Sequence, residues 1–212
     1  LKPYYSEEGI TIYQGDCLEI LPILIEHGLE VDHVITDPPY EAQAHTMQRR
    51  ARLGGGSNKY GALIRMLPLT FVPITTQQRK AFGRLASTIT KRWCLTFCQV
   101  EASQLWRRAY AGMSYKRTCV WIKPNGQPNY SGDKPGMGYE SIVAMHAMGM
   151  GKSRWNGGGR RGVFHHNVAL NQIHQTTKPL SLMRELVALF TDPDELILDP
   201  FMGSGTTLLA AK

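Results

Sequence analysis

The chain has 212 residues, 42% hydrophobic and 19% charged, with a formal net charge of +7. This composition excludes a disordered, collagen-like or membrane-embedded chain, and the length suits one domain with a real core spanning 1–212. The excess of base fits either a polyanionic partner or a merely basic surface.

Cys17, Cys94, Cys98 and Cys119 are scattered without metal-ligand spacing, so they read as reduced core thiols. No signal peptide and no membrane-length apolar run is visible, so a cytoplasmic location without a membrane partner is expected.

In chain order, Thr11-Ile12-Tyr13 leads into Gly15-Asp16 as a first strand. A helix follows with Leu18, Leu21 and Leu24 or Ile25 on one face, Pro22 in its first turn, and Gly28 at its end. Val31, Val34 and Ile35 form a buried strand that runs into Asp37-Pro38-Pro39-Tyr40. Strand–helix–strand at this spacing argues a right-handed parallel β-α-β unit. Two adjacent parallel strands would then end in acids, Asp16 and Asp37, at the edge where open α/β sheets bind ligands.

Pro38 and Pro39 end the strand, because neither donates to a ladder. They leave a carboxylate, freed backbone carbonyls and an aromatic ring close together. A planar substrate with an exocyclic amino group would suit that arrangement, and so would a plain Asx-type turn with no ligand.

Residues 41–60 place Arg49, Arg50, Arg52 and Lys59 around Gly54-Gly55-Gly56, a mobile basic loop that suits either a nucleic-acid clamp or an ordinary surface loop. Thr75 to Thr90 reads as a helix, Arg92 to Val100 contains a core strand, and Glu101 to Ala111 is helical. Arg117 to Ile122 and Tyr139 to Met145 read as strands joined by a glycine-rich loop from Asn125 to Gly138. Gly149 to Asn167 is a second basic, irregular region, with Lys152, Arg154, Arg160 and Arg161 near Trp155. His165, His166 and His174 lack a matching ligand set, which argues against a metal.

A helix after Pro179 has Leu182, Leu186 and Leu189 on its core face. Leu196-Ile197-Leu198 is a short strand running into Asp199-Pro200-Phe201-Met202-Gly203-Ser204-Gly205-Thr206-Thr207, where a new helix begins. Strand, glycine-rich turn and helix let a ligand approach the backbone closely. The lysine of a phosphate loop is missing, and so are the third glycine and later acid of a dinucleotide fingerprint. A small turn bordered by Asp199 suits the ammonium and carboxylate of a zwitterion better than a pyrophosphate.

Thr36-Asp37-Pro38-Pro39-Tyr40, His174-Gln175-Thr176-Thr177-Lys178-Pro179 and Asp199 to Thr207, in that order, resemble the DNA amino-methyltransferases of the permuted β group. The resemblance spans nearly the whole chain. It implies the class I methyltransferase fold, an open, mostly parallel Rossmann-like sheet with helices on both faces, circularly permuted. It also implies S-adenosyl-L-methionine as cofactor and double-stranded DNA as partner, with a homodimer and a cognate restriction enzyme left open.

By the same resemblance, Asp37, Pro38, Pro39 and Tyr40 would be catalytic: Asp37 and the Pro38 carbonyl hold the target amino group, and Tyr40 stacks on the base. Asp199, Pro200, Phe201, Gly203, Ser204, Gly205 and Thr206 would form the cofactor loop. Thr176, Thr177 and Lys178 would lie beside the methionine moiety, with His174 near them, Asp37 at the reacting end and Asp16 near the adenine. Residues 146–173 correspond to the target-recognition segment. The family pattern continues past Lys212 to a strand whose acid grips the cofactor ribose, so the sequence is expected to be trimmed at its C-terminus.

An exocyclic amine is a poor nucleophile, because its lone pair is delocalised into the ring. Hydrogen bonds from both N–H groups to Asp37 and a carbonyl favour a tetrahedral nitrogen, so positioning and electrostatics carry the rate. A base in duplex DNA must be flipped out to reach such a pocket. Adenine N6 is the expected target by family habit, with cytosine N4, a non-catalytic DNA-binding relative, and RNA or a protein amide as the other readings.

Overall fold

The computed structural model describes residues 1–41, 72–126, 128–129, 132–149, 151–168 and 177–212. The loop at 42–60, with Arg49, Arg50, Arg52 and Lys59, lies outside the described residues, as do His174 and Thr176.

The chain opens with a hairpin. β1 (Tyr5–Glu7) pairs antiparallel with β2 (Ile10–Ile12) around Gly9, whose φ of +79° suits glycine. The β-α-β unit expected here does not form. β2 is engaged by β1, and β3 (His33–Thr36) has its two edges filled by β4 (Trp93–Cys98) and β8 (Ile197–Leu198). Asp16 therefore ends no strand of the main sheet. It is the N-cap of α1 (Cys17–Glu26), where its carboxylate accepts the Leu18 N–H at 2.8 Å.

Pro22 lies in the interior of α1 and not in its first turn, so it removes the donor that would reach back to Leu18. Leu21 is the buried anchor of this helix. Gly28 (φ +85°) closes it with bonds from Gly28 N–H to the Ile25 carbonyl and from Leu29 N–H to the Leu24 carbonyl, both 2.9 Å, the Schellman pattern.

The main sheet adds β5 (Met113–Ile122), β6 (Tyr139–Ala147) and β7 (Val163–His165), in the order β7-β5-β6-β4-β3-β8. Only β6 runs against its neighbours; the other five strands share one direction. This is the open, mostly parallel sheet expected. β5 is longer than the Arg117–Ile122 segment read from the sequence, and a register shift between Tyr115 and Arg117 lets it continue. β7 falls inside the region read as irregular, because Val163 to His165 add a parallel edge to β5.

The strands alternate faces with period two. Val34, Cys94, Cys98, Val143 and Met145 join one core with α1, α2 (Thr76–Ile89) and α3 (Ser103–Ala109). Ile35, Trp93, Leu95, Phe97, Ile142 and Ala144 join the other with α4 (Leu180–Phe190). A capping box between Thr75 and Gln78 starts α2. Three of the four free cysteines are buried; Cys17 is half-buried at the start of α1 and packs against the same core.

The edge remote from Asp37 is stapled by charge. His33, fully buried in β3, meets Glu195 at 2.8 Å, and Arg92 bonds both Glu195 and Asp192. Among the described residues no helix is long and apolar enough to cross a membrane.

Candidate functional site

Chain direction brings the site together. The carboxyl end of β3 carries Asp37, that of β8 carries Asp199, and that of β5 carries Lys123. β6 runs the other way, so its first residues, with Glu140, lie at the same edge. Across the sheet this edge reads Lys123, Glu140, Phe97 of β4, Asp37 and Asp199. It is the edge where open α/β sheets bind ligands.

Lys178 approaches this edge just before α4. Its ammonium donates to Asp37 Oδ2 at 2.6 Å and lies 3.2 Å from Glu140 Oε2. It sits 5.0 Å from the Phe97 ring centroid, 5.5 Å from Tyr40 and 6.0 Å from Trp121. Three ring faces thus compensate part of its lost hydration. Tyr40 donates its hydroxyl to Glu140 Oε2 at 2.7 Å, and Lys123 donates to Glu140 Oε1 at 2.5 Å.

Two carboxylates and two ammoniums therefore share one part-buried site. Asp37 Oδ2 is taken by Lys178, whereas Oδ1 is buried and has no hydrogen-bond partner among the described residues. Such an acceptor is costly unless a ligand meets it.

The electrostatics separate the two acids. Burial pushes Asp37 up to about 6, with Lys178 pulling it down and Glu140 and Asp199 pushing it further up. Burial would raise Glu140 as well, but the ammoniums of Lys178 and Lys123 overcome that and hold it at about 2. Burial, and then the charges of Glu140 and Asp37, keep the Tyr40 hydroxyl protonated and a donor.

Asp199 organises its own turn. Oδ1 accepts from Thr36 Oγ1 at 2.7 Å and from the Phe201 N–H at 3.2 Å, and Oδ2 accepts from Thr207 Oγ1 at 2.5 Å. Gly203 (φ +53°) and Gly205 (φ +76°) occupy left-handed backbone that side chains disfavour. Gly205 then caps α5 (Thr206–Ala211).

Phe201 packs edge-on against Phe82 of α2, with ring centroids 5.2 Å apart. It lines a cleft with Asp16, Leu18, Pro39, Ile74 and Gln78. Asp16 thus meets Pro39 and Phe201 across this cleft, although it ends no sheet strand.

Tyr40 and Glu41 are anchored to α2 and the residues that lead into it. Buried Arg79 on α2 pairs with Glu41 at 3.0 Å, and the Ile74 N–H donates to the Tyr40 carbonyl at 3.3 Å. In the second basic region, Arg154 bonds Asp192 and Arg160 bonds Glu185. Lys152 and Arg161 are exposed. Trp155 packs on Phe190 at 5.4 Å and donates to the Gly158 carbonyl, so its ring is part of the fold.

The structure gathers Asp37 and Tyr40 around Lys178, which bonds Asp37 and lies 5.5 Å from the Tyr40 ring; Pro38 is buried, and the Asp199 turn follows β8 on the neighbouring strand. Ser204 and Thr206 hydrogen-bond each other at 3.1 Å within that turn. Thr177 precedes Lys178, and Pro200 follows Asp199. Sequence reasoning missed Glu140 and Lys123. The signal was present: Glu140 is the one acid in β6, whose next six residues are all buried. It also missed Thr36 and Thr207 as partners of Asp199, and Arg79 as the partner of Glu41; a threonine at a strand end or helix start, or an arginine on a helix, carries no pattern that reveals such a role.

The DNA methylase family model, that of the N6/N4 methyltransferases, matches residues 31–212. The Type II methyltransferase M2.MboI of Moraxella bovis is 25% identical over 235 residues, covering 99% of this chain and 82% of that one. The solved M1.HpyAVI-SAM complex matches with a TM-score of 0.63 at 22% identity, over 93% of this chain and 85% of that one. The PvuII DNA methyltransferase, described as cytosine-N4-specific, matches with a TM-score of 0.69 at 15% identity, over 99% of this chain and 80% of that one. At these identities the structural matches speak to the fold.

Proposed function

The chain belongs to the N6/N4 DNA methylase family, and from that premise we propose that it methylates the N6 amino group of a flipped-out adenine in DNA, with S-adenosyl-L-methionine as donor. The observation that carries the reading is Asp37 Oδ1, a buried acceptor without a partner among the described residues, next to the Tyr40 ring and the Asp199 turn.

The residues present fit the cofactor. The cleft between Asp16, Pro39 and Phe201 offers an apolar wall with an acid at its mouth, as an adenosine needs. Gly203 and Gly205 keep side chains away from the backbone of the adjoining turn, where the methionine end would lie with Thr177 and Lys178 near it. When bound, the donor would supply an electrophilic sulfonium methyl to the amine nitrogen, with the neutral thioether as leaving group and the surplus amine proton passing to solvent.

Asp37 and the Pro38 carbonyl accept the two N–H groups of the target. Both bonds strengthen as the nitrogen becomes tetrahedral, so they act mainly in the transition state. Tyr40 covers the face of the base and replaces the stacking lost on flipping. Lys152 and Arg161 of the 146–173 segment are proposed to meet the DNA backbone, as is the basic loop at 41–60; Arg154 and Arg160 would have to leave Asp192 and Glu185 to join them. Asp at the head of Asp37-Pro38-Pro39-Tyr40 favours adenine over cytosine by the habit of the family.

The test is methyl transfer from labelled S-adenosyl-L-methionine to unmethylated genomic DNA, followed by nucleoside analysis. Label on N6-methyladenine supports the reading. Label on N4-methylcytosine keeps the mechanism and reverses the base, and no label from folded protein overturns the reading.

A further inference from the structure

The side chain that joins Lys123, Tyr40 and Lys178 is not one of the expected catalytic residues. Glu140 takes Lys123 on Oε1 and both Tyr40 and Lys178 on Oε2. Its side chain is 13% exposed, so it exchanges little with water. Lys123 holds one oxygen, which stops the carboxylate from turning away from the other two partners.

Lys178 could neutralise Asp37 alone. A carboxylate fully matched by its own ammonium is a weaker acceptor for an incoming amine. Here the ammonium is drawn between two acids, at 2.6 Å from Asp37 and 3.2 Å from Glu140, and it meets only Oδ2. Oδ1 stays open.

We propose that Glu140 is a positioning residue: it shares Lys178 with Asp37 so that Oδ1 is left for the target amine, and it fixes the Tyr40 ring by accepting its hydroxyl. The inference rests on the reading of Asp37 as the amine acceptor. The charged groups that bear on Asp37 are Lys178 before α4, Glu140 on β6 and Asp199 after β8, with Lys123 behind Glu140. Removing the Glu140 charge hands Lys178 to Asp37 and favours its ionised form. Removing the Lys123 charge leaves Glu140 to compete harder for Lys178 and disfavours it.

The experiment follows the Asp37 carboxyl carbon by NMR titration of aspartate-labelled protein, assigned with Asp37→Asn. In Glu140→Gln the midpoint should fall by about one pH unit, and in Lys123→Gln it should rise. Glu140→Gln keeps an oxygen for Tyr40, so its kcat for methyl transfer should fall about tenfold with KM nearly unchanged, and the acid limb of kcat should move to lower pH. If the midpoint stays put in both variants, or both move it the same way, the inference is overturned. Should Glu140→Gln fail to fold, the rise in Lys123→Gln carries the test. The titration needs no turnover, so a wild-type chain that transfers no methyl would sink the functional reading separately from this one.

Discussion

Lys178 donates its ammonium to Asp37 at 2.6 Å across 141 positions of sequence. The contact ties the lysine–proline motif to the Asp-Pro-Pro-Tyr motif and brings the start of α4 to the end of β3. Replacing Lys178 with Met leaves Asp37 and Glu140 facing each other with one ammonium instead of two. Breaking a buried pair in this way should cost about 3–5 kcal/mol of stability, read by chemical denaturation at pH 7.5. A loss below about 1 kcal/mol would mean that the pair is as weak as an exposed one.

The pH dependence follows from Asp37. Held up at about 6, it accepts an amine only when ionised, so kcat should be flat in mild alkali and fall as pH drops through about 6. Asp37→Asn should lower kcat by at least about 100-fold. The linkage has the opposite sign to the usual carboxylate. Because the folded pKa is raised, Asp37 adds stability at pH below its unfolded value, and that contribution is lost as pH rises through about 6. Stability should therefore shift in favour of Asp37→Asn over that window by roughly 1–3 kcal/mol, measured by paired denaturation curves from pH 4 to 8. An acid limb near pH 4, the ordinary aspartate range, would mean that burial does not raise Asp37.

Phe201 tests the cleft. Its ring is braced by Phe82 and forms one wall opposite Asp16 and Pro39. Phe201→Ala should weaken S-adenosyl-L-methionine binding by about tenfold in calorimetry while DNA affinity in a gel shift stays within about twofold. Equal losses on both ligands would point to a general collapse of the turn.

Gly83 tests the packing of α2 on α3. A Cβ at this position would lie 2.4 Å from the Ala109 carbonyl oxygen, and backbone cannot step aside as a flexible side chain can. Gly83→Ala should destabilise the fold by about 1–3 kcal/mol despite the better helix propensity of alanine, seen as a lower Tm. An unchanged Tm would mean that the two helices slide apart at no cost.

Much of the fold is legible from local pattern. The helix of Thr75 to Thr90, the strand at Trp93, the helix after Pro179 and the turn at Gly203 each carry their period or punctuation in consecutive residues. The hairpin at Tyr5 to Ile12 was misread because a three-residue strand does not declare its partner, and β3 has only two edges to offer. The strand at Val163 was missed because glycines and arginines around it hide a short edge pairing.

Asp37, Tyr40, Asp199 and the glycines of the turn were determined as candidates by the sequence alone, because proline, glycine and acid at strand ends limit the backbone locally and mark where a ligand can come close; Lys178 was marked only by the resemblance of its motif. Which groups they face was decided only by the tertiary structure. Glu140 and Lys123 reach Asp37 because β6 runs against its neighbours and brings its first residues to the edge where the other strands end. A charge acts through space and falls off with distance and dielectric, not with sequence separation, so the ammonium that holds Asp37 and the carboxylate that shares it become visible only once the sheet is assembled.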